Sequence, residues 1–211
     1  MQNTLFDLTG KVAVVTGAGA NGGIGHAIAV GLAQSGADVA VSDVEDAGAQ
    51  TTGDEIKALG RRTLVSHCDI SQPADVAALF QAVDGEFGRI DILVNVPYVF
   101  PSRVHPTELH LADWEKTLSV NLTGFFLCTQ EALRRMTAQG GGSILSIGSI
   151  AGVSGLGRGN FPYSVSKAGV AQMTKELAVE YAGQGIRVNA ILPAQVATPS
   201  FKRQLLGDPR F

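Results

Sequence analysis

The fold of this chain is decided by residues 12–25, which read VAVVTGAGANGGIG. The run 12–16 is short, apolar and rich in valine, which is typical of a strand buried on both faces of a parallel sheet. A glycine-rich turn follows the strand, and an apolar helical pattern starts at Gly25. A glycine-rich turn that leaves a strand and opens a helix is the context of a dinucleotide-binding βαβ unit. The alternative is a glycine-rich turn without a ligand.

The alternation of strand and helix continues along the rest of the chain. Further strands are predicted at 38–42, 63–67, 92–95, 143–147 and 187–192. Helices are predicted at 25–35, 47–59, 71–87 with Ser71 as N-cap, 113–137 and 163–182. Such alternation implies parallel strands joined by right-handed crossovers. We therefore predict a single α/β domain over residues 1–211, a doubly wound parallel sheet that binds ligands beyond the carboxyl ends of its strands.

Composition narrows the class of protein. Hydrophobic residues make up 45% of the 211 residues and charged residues 17%, so a substantial core is available. The net charge of −3 gives no electrostatic case for nucleic acid, and no apolar run is long enough to span a membrane. Cys68 and Cys128 lack metal-site spacing and are interpreted as buried free thiols, so no metal is expected. The first seven residues lack the features of a signal peptide, which favours a cytoplasmic protein.

The glycine loop is the predicted phosphate site. Gly17 allows the tight turn, Gly23 lets the backbone approach a pyrophosphate, and Gly25 lets the helix pack closely on the strand. The amides at the start of the helix supply hydrogen-bond donors to the phosphates. Asn21 and Ile24 complete the predicted cofactor contacts of this loop.

Acidic residues at the ends of the second and third strands predict which dinucleotide binds. Asp43 is placed to accept hydrogen bonds from an adenosine ribose, whereas a 2′-phosphate would be repelled by Asp43, Glu45 and Asp46. NAD is therefore predicted over NADP. Asp69 and Ile70 are expected at the adenine. The alternatives are that Asp43 only caps a turn and that Asp69 forms an Asx turn.

A phenol and an ammonium lie four residues apart at Tyr163 and Lys167. In a helix both side chains leave the same face, about one turn apart. A free tyrosine has a pKa near ~10, and a neighbouring lysine cation favours the phenolate. The pair is therefore predicted to act in proton transfer.

Together these residues resemble the classical short-chain dehydrogenase/reductases, from about Leu8 to Pro199. The family has a Rossmann fold and transfers hydride between a nicotinamide cofactor and an alcohol or ketone. The resemblance is carried by motifs in a fixed order: the loop 16–25, Asp69, Asn95, Asn121, Ser149, Tyr163, Lys167 and the segment 193–198.

The resemblance implies a role for each catalytic residue. Tyr163 is the acid/base, and Lys167 lowers its pKa and binds the nicotinamide ribose. Ser149 bonds the substrate oxygen, and Asn121 holds a water that links Lys167 to solvent. Alternatively, Asn121 is a core polar group bonded to backbone, Ser149 a turn residue and Lys167 a solvated helix residue. Cofactor contacts are also implied for Asn95, for Thr198 and for the backbone of Val196.

Several features depart from the family pattern, among them Pro193-Ala194 in place of Pro-Gly after the sixth strand. The glycine loop is two residues longer than usual. Asn95-Val96-Pro97-Tyr98 replaces Asn-Asn-Ala-Gly, and because Pro97 fixes φ, the backbone near the nicotinamide ribose is expected to run differently. The sequence given ends at Phe211, where family members continue through a seventh strand. We therefore expect the 211-residue form to bind NAD but to turn over poorly, with mobile residues beyond Pro199.

The expected substrate is a hydrophobic or cyclic secondary alcohol or ketone, and the expected assembly is a homodimer or homotetramer. Two other functions remain open: an NADP-dependent 3-oxoacyl-carrier reductase and a non-catalytic NAD-binding regulatory protein. Arg103, His105 and Arg158 lie in nearby loops, either as contacts for a substrate anion or as ordinary surface residues. The expected pocket lining is mostly apolar and aromatic; it comprises Val96, Pro97, Tyr98, Phe100, Leu156, Phe161, Val196 and Phe201.

Overall fold

Six parallel strands form one sheet in a computed structural model that describes residues 6–100, 103–157, 159–199 and 201–202. The order across the sheet is β3-β2-β1-β4-β5-β6. The predicted doubly wound α/β fold is thereby confirmed. The strands are β1 (Val12–Thr16), β2 (Asp38–Asp43), β3 (Thr63–His67), β4 (Ile92–Asn95), β5 (Gly142–Ile147) and β6 (Ile186–Ile191).

Helices connect the strands and cover both faces of the sheet. No helix within the described ranges is long and apolar enough to cross a membrane. The α-helices are α1 (Ile24–Gln34), α2 (Asp46–Ala58), α3 (Pro73–Phe87), α4 (Leu111–Leu118), α5 (Phe125–Gln139) and α6 (Phe161–Tyr181). Short 3-10 turns lie at Pro106–Glu108, Ile150–Gly152 and Ala182–Gln184.

The predicted helix 113–137 is not one regular α-helix. A π-helical segment, Ser119–Gly124, separates α4 from α5. Both Asn121 and Gly124 are buried there, and a Cβ on Gly124 would crowd the Ile70 side chain. The widened turn serves contacts with distant parts of the chain, which a local periodicity does not reveal.

The start of α3 also differs from the prediction. Ser71 is not its N-cap, because Gln72 occupies that position and α3 begins at Pro73. The amide and the hydroxyl of Ser71 both donate to Oδ1 of Asp69, at 2.9 and 2.7 Å. Asp69 therefore forms the Asx turn that was its alternative interpretation.

The core lies on both faces of the sheet. Ala13 and Val15 of β1 pack with the α1 and α2 side of the core, whereas Val14 faces the α3, α5 and α6 side. This is the pattern expected of a parallel strand covered by helices on both faces. Apolar residues at consecutive strand positions are the sequence signal that predicted it.

The position of the site follows from the strand order. β1 pairs with β2 on one side and with β4 on the other, so connections leave β1 and β4 in opposite directions. Thr16 and Asn95 lie side by side where these two strands end. A crevice at such a switch point is where doubly wound sheets bind ligands.

Candidate active site

Several glycines of the loop have no room for a side chain, among them Gly17 and Gly25. Gly17 has a φ of 74°, and a Cβ there would lie 2.8 Å from Cγ and N of Pro97. A Cβ on Gly25 would overlap the carbonyl oxygen of Gly17. The predicted tight turn and the close packing of α1 on β1 are therefore both present.

The loop presents backbone amides at the start of α1. Gly23 is the N-cap of α1, and no side chain within the described ranges caps this helix. Asn21 is exposed and Ile24 is half-buried beside it. The first turn carries no acidic residue. A helix N-terminus with uncapped amides and no acidic residue in its first turn fits the pyrophosphate of a dinucleotide.

Asp43 ties the glycine loop to the end of β2. Its Oδ2 accepts a hydrogen bond from the Gly19 amide at 2.7 Å, and its Oδ1 accepts one from the Glu45 amide at 3.1 Å. The sequence analysis did not predict the bond to Gly19. Because the loop is two residues longer than usual, its sequence does not indicate which loop residue lies beside Asp43. A carboxylate has about four acceptor sites, so acceptor capacity remains for ribose hydroxyls.

The altered motif after β4 packs directly on the glycine loop. The Pro97 ring fills the space that a side chain at position 17 would need. Asn95 is fully buried, and its Nδ2 donates to Oγ1 of Thr129 at 3.1 Å. Its Oδ1 has no hydrogen-bond partner among the described residues. The structure thus leaves a buried acceptor beside the crevice.

Tyr163 lies at the start of α6, and two aromatic rings pack against its side chain. Its ring centroid is 4.9 Å from that of Phe100 and 6.3 Å from that of Tyr98. Burial raises the pKa of Tyr163 above its ordinary value, although a hydrogen bond with the Ser149 side chain opposes the shift. The expected lowering of this pKa by Lys167 is therefore corrected: desolvation of the phenol dominates.

Ser149 follows β5 and faces Tyr163. It is the N-cap of the turn Ile150–Gly152, and its Oγ accepts a hydrogen bond from the Ala151 amide at 3.1 Å. The side chain is buried. Ser149 therefore has the turn-forming role of its alternative interpretation together with a contact to the tyrosine, and its bond to the substrate oxygen stays a prediction.

Lys167 is buried, with only 1% of its surface exposed to solvent, so it is not a solvated helix residue. Its Nζ donates to the carbonyl of Ile147 at 2.8 Å and lies 4.6 Å from the centre of the Phe125 ring. The same atom is 5.8 Å from the centre of the Tyr163 ring. Burial lowers the pKa of Lys167 to about 7. Near neutral pH this amine can therefore both hold and release a proton.

Asn121 clamps the segment that follows β4. Its Oδ1 accepts from the Val99 amide at 2.8 Å, and its Nδ2 donates to the Val99 carbonyl at 3.0 Å and to Oγ of Ser166 at 3.2 Å. The side chain is thus a buried polar group bonded to backbone, as the alternative interpretation had it. A water relay through Asn121 stays a prediction.

The segment after β6 reaches back to the glycine loop. The Pro199 ring lies 3.2 Å from the point where a Cβ on Gly22 would stand. Thr198 bonds locally, since its Oγ1 accepts from the Phe201 amide at 3.1 Å. Val196 is exposed. Arg158, Ser200 and residues 203–211 lie outside the described residues, and with them most of the segment beyond Pro199 that was expected to be mobile.

Comparison with known proteins identifies relatives over most of the chain. The family described as short chain dehydrogenase matches residues 11–207. A cis-4-hydroxycyclohexanecarboxylate dehydrogenase of Sinomonas cyclohexanicum is 41% identical over 189 residues, which are 90% of this chain and 74% of the relative. A D-threitol dehydrogenase of Mycolicibacterium smegmatis is 43% identical over 194 residues, 92% of this chain and 73% of the relative. The crystal structure of a levodione reductase superposes with a TM-score of 0.89 at 32% identity, covering 94% of this chain and 76% of that one.

Proposed function

This chain belongs to the short chain dehydrogenase family, and on that premise we propose that it moves hydride between NAD(H) and a cyclic secondary alcohol or its ketone. Its relatives are named dehydrogenases and reductases, and the chain is an oxidoreductase acting on CH–OH groups. The observation that carries the proposal is the cluster of Tyr163, Ser149 and Lys167 at the end of β5. A relative that acts on a hydroxylated cyclohexane ring favours a cyclic substrate.

Proton transfer falls to Tyr163. The phenol oxygen takes the hydroxyl proton of the alcohol in oxidation and returns a proton to the ketone oxygen in reduction. NAD, when bound, accepts or supplies the hydride. Ser149 orients the substrate oxygen beside the phenol. Because the pKa of Tyr163 is raised, the phenol carries its proton at neutral pH, so oxidation should accelerate as the pH rises above 7.

Cofactor binding is assigned to residues around the crevice. The glycine loop would hold the pyrophosphate, Asp43 the adenosine ribose, and Lys167 the nicotinamide ribose. The uncapped amides of α1 and the close backbone packing at Gly17 and Gly25 support this assignment. Further contacts are proposed for Asp69 and Ile70 at the adenine and for Asn95, Val196 and Thr198 at the nicotinamide half.

The preference for NAD rests on charge. A 2′-phosphate would meet the carboxylate of Asp43, so we expect NADP to bind at least ~10-fold more weakly than NAD, or ~1.4 kcal/mol. Asp43→Ala should narrow this gap, but it also removes the acceptor of the Gly19 amide. Asp43→Asn removes the charge and keeps an acceptor, so it isolates repulsion. Equal binding of the two cofactors to the unmodified protein, by calorimetry, would reject the preference.

A direct assay tests the function. Purified protein with NAD and cyclohexanol, 4-hydroxycyclohexanecarboxylate or threitol should form NADH, and faster at pH 9 than at pH 7. Asp54→Asn on the outer face of α2 removes a charge away from the crevice and should leave these rates unchanged. No NADH from any of these alcohols at either pH would refute the proposal.

We also propose a homo-oligomer. Apolar side chains remain exposed on the helices that follow the π-helical segment: Phe126 on α5, and Val165 and Val179 on α6. Val179 is 82% exposed. Several large apolar side chains exposed on neighbouring helices favour a protein partner over solvent, and a second copy of the chain is the partner we propose.

A further inference from the structure

A cavity of about 380 Å³ opens at the end of the sheet opposite the catalytic crevice. It is lined by residues at or near the amino ends of four strands: Lys11 before β1, Asp91 and Ile92 at β4, Ser143 in β5 and Arg187 in β6. Because the strands are parallel, their amino ends lie together at one edge of the sheet and their carboxyl ends at the other. The cavity is therefore separate from the proposed cofactor site.

The turn between α5 and β5 adds no side chain to this cavity. Residues 140–142 are all glycine and line one side of it. A Cβ at Gly140 would meet nothing within 4 Å, so the space beside the turn is open. The amides of Gly140 and Gly141 bond the carbonyls of Thr137 and Met136 at the end of α5, at 3.3 and 2.9 Å. These two carbonyls are already satisfied within the turn, which leaves the charged side chains to determine what binds.

Positive charge exceeds negative charge in the lining of the cavity. Asp91 is buried, and its carboxylate pairs with Arg89 at 2.6 Å and with Lys11 at 3.5 Å. It also accepts a hydrogen bond from the Val12 amide at 2.9 Å. With Arg187, three cations stand against one carboxylate, which leaves the lining a net charge of +2 in a chain whose net charge is −3. The cavity therefore favours an anion.

Arg187 is the cation of this lining that no carboxylate neutralises. Its side chain is exposed and makes no hydrogen bond or ion pair with another described residue. Ser143 is its register partner on β5, so both side chains leave the same face of the sheet. The Ser143 hydroxyl likewise bonds no other described residue. A guanidinium with a hydroxyl on the neighbouring strand offers several donors to the oxygens of one anion.

We propose that this cavity binds the phosphate group of a small organic phosphate, held by the side chains of Arg187 and Lys11. A phosphate monoester carries a charge of about −1.5 to −2 at pH 7, which matches the net charge of the lining. The apolar side chains of Leu8 and Ile92 line the same cavity and would contact the organic part. The volume lies within the ~300–1,000 Å³ of small-molecule sites, so there is room for more than a bare phosphate.

Titration calorimetry with phenyl phosphate as the probe tests the site, at an ionic strength held constant with sodium chloride. The unmodified protein should bind the probe saturably. Arg187→Gln should bind it at least ~10-fold more weakly, the effect of losing a charge-assisted hydrogen bond. Lys11→Gln should also weaken binding. Because the Arg187 side chain is exposed and unpaired among the described residues, Arg187→Gln should melt at the same temperature as the unmodified protein when no probe is present.

Two controls locate the site and identify the anion. Arg134 is an exposed residue of α5 outside the cavity, so Arg134→Gln should keep the affinity of the unmodified protein. Benzoate has the same ring but a single negative charge, and it should bind more weakly than phenyl phosphate.

Three results would overturn the inference. The first is no saturable binding to the unmodified protein. The second is equal affinity in Arg187→Gln, which would place the phosphate elsewhere, for example at the glycine loop, or an equal loss in Arg134→Gln. The third is equal affinity for benzoate, which would reject a phosphate ligand. The measurement needs no turnover, so its result does not depend on whether the protein oxidises an alcohol.

Discussion

Tyr163 and Lys167 both lie on α6 and face one site. Their pKa values were not predictable, because desolvation depends on what packs around them. Phe100 covers the phenol and Phe125 underlies the amine, and both come from other elements.

Replacing Tyr163 by Phe tests the proton transfer. The variant keeps the ring that packs on Phe100 but removes the transferable proton. We expect turnover to fall at least ~10²-fold while NAD binding is largely retained. Steady-state kinetics and calorimetry measure the two effects. Tyr181→Phe, at the far end of the same helix, is the matched control, and near-normal turnover in Tyr163→Phe would assign the role to another group.

Burial of Lys167 makes stability depend on pH. The amine has a pKa of about 7 in the folded protein and about 10.5 when unfolded. Between these values the unfolded chain binds the proton that the folded protein has lost, so stability rises with pH, by up to ~1.4 kcal/mol per unit. Urea unfolding at pH 7 and pH 9 measures this. Lys167→Met should remove this part of the rise, and the same slope in both proteins would contradict the burial argument.

At the scale of elements, the strands were the most predictable part. Each predicted strand lies within one or two residues of the observed one, because buried parallel strands are short apolar runs. The π-helical segment Ser119–Gly124 was not predictable. Within it Asn121 bonds Val99 and Gly124 packs closely on Ile70, and neither contact has a local sequence signal.

The crossing of α1 over β1 is testable with two glycines of one helix. A Cβ on Gly25 would overlap the Gly17 carbonyl, whereas a Cβ on Gly31 has nothing within 4 Å. We expect Gly25→Ala to destabilise the protein by ~1–3 kcal/mol through overpacking. Gly31→Ala should stabilise it by ~0.5–1 kcal/mol through helix propensity. Denaturant melts compare them, and equal effects would contradict the crossing.

At the scale of the whole molecule, the doubly wound parallel sheet was predictable from the sequence. The homo-oligomer is a prediction that still has to be tested. We expect at least a dimer at micromolar concentration by light scattering, because α5 and α6 expose apolar side chains. Phe126→Glu should shift the protein toward monomer. Leu59→Glu, which alters an exposed leucine at the end of α2, should not. A monomeric unmodified protein would count against the assembly.

The central place of β1 has a consequence for synthesis. β1 pairs with β2 soon after it in the chain, but its other neighbour, β4, comes much later. The bond between Val12 and Asp91 joins residues 79 positions apart. At ~5–20 residues per second, a ribosome takes several seconds to deliver β4. Throughout that interval the nascent chain exposes one unpaired edge of an almost wholly apolar strand, so chaperone capture or aggregation competes with folding mainly between the release of β1 and that of β4.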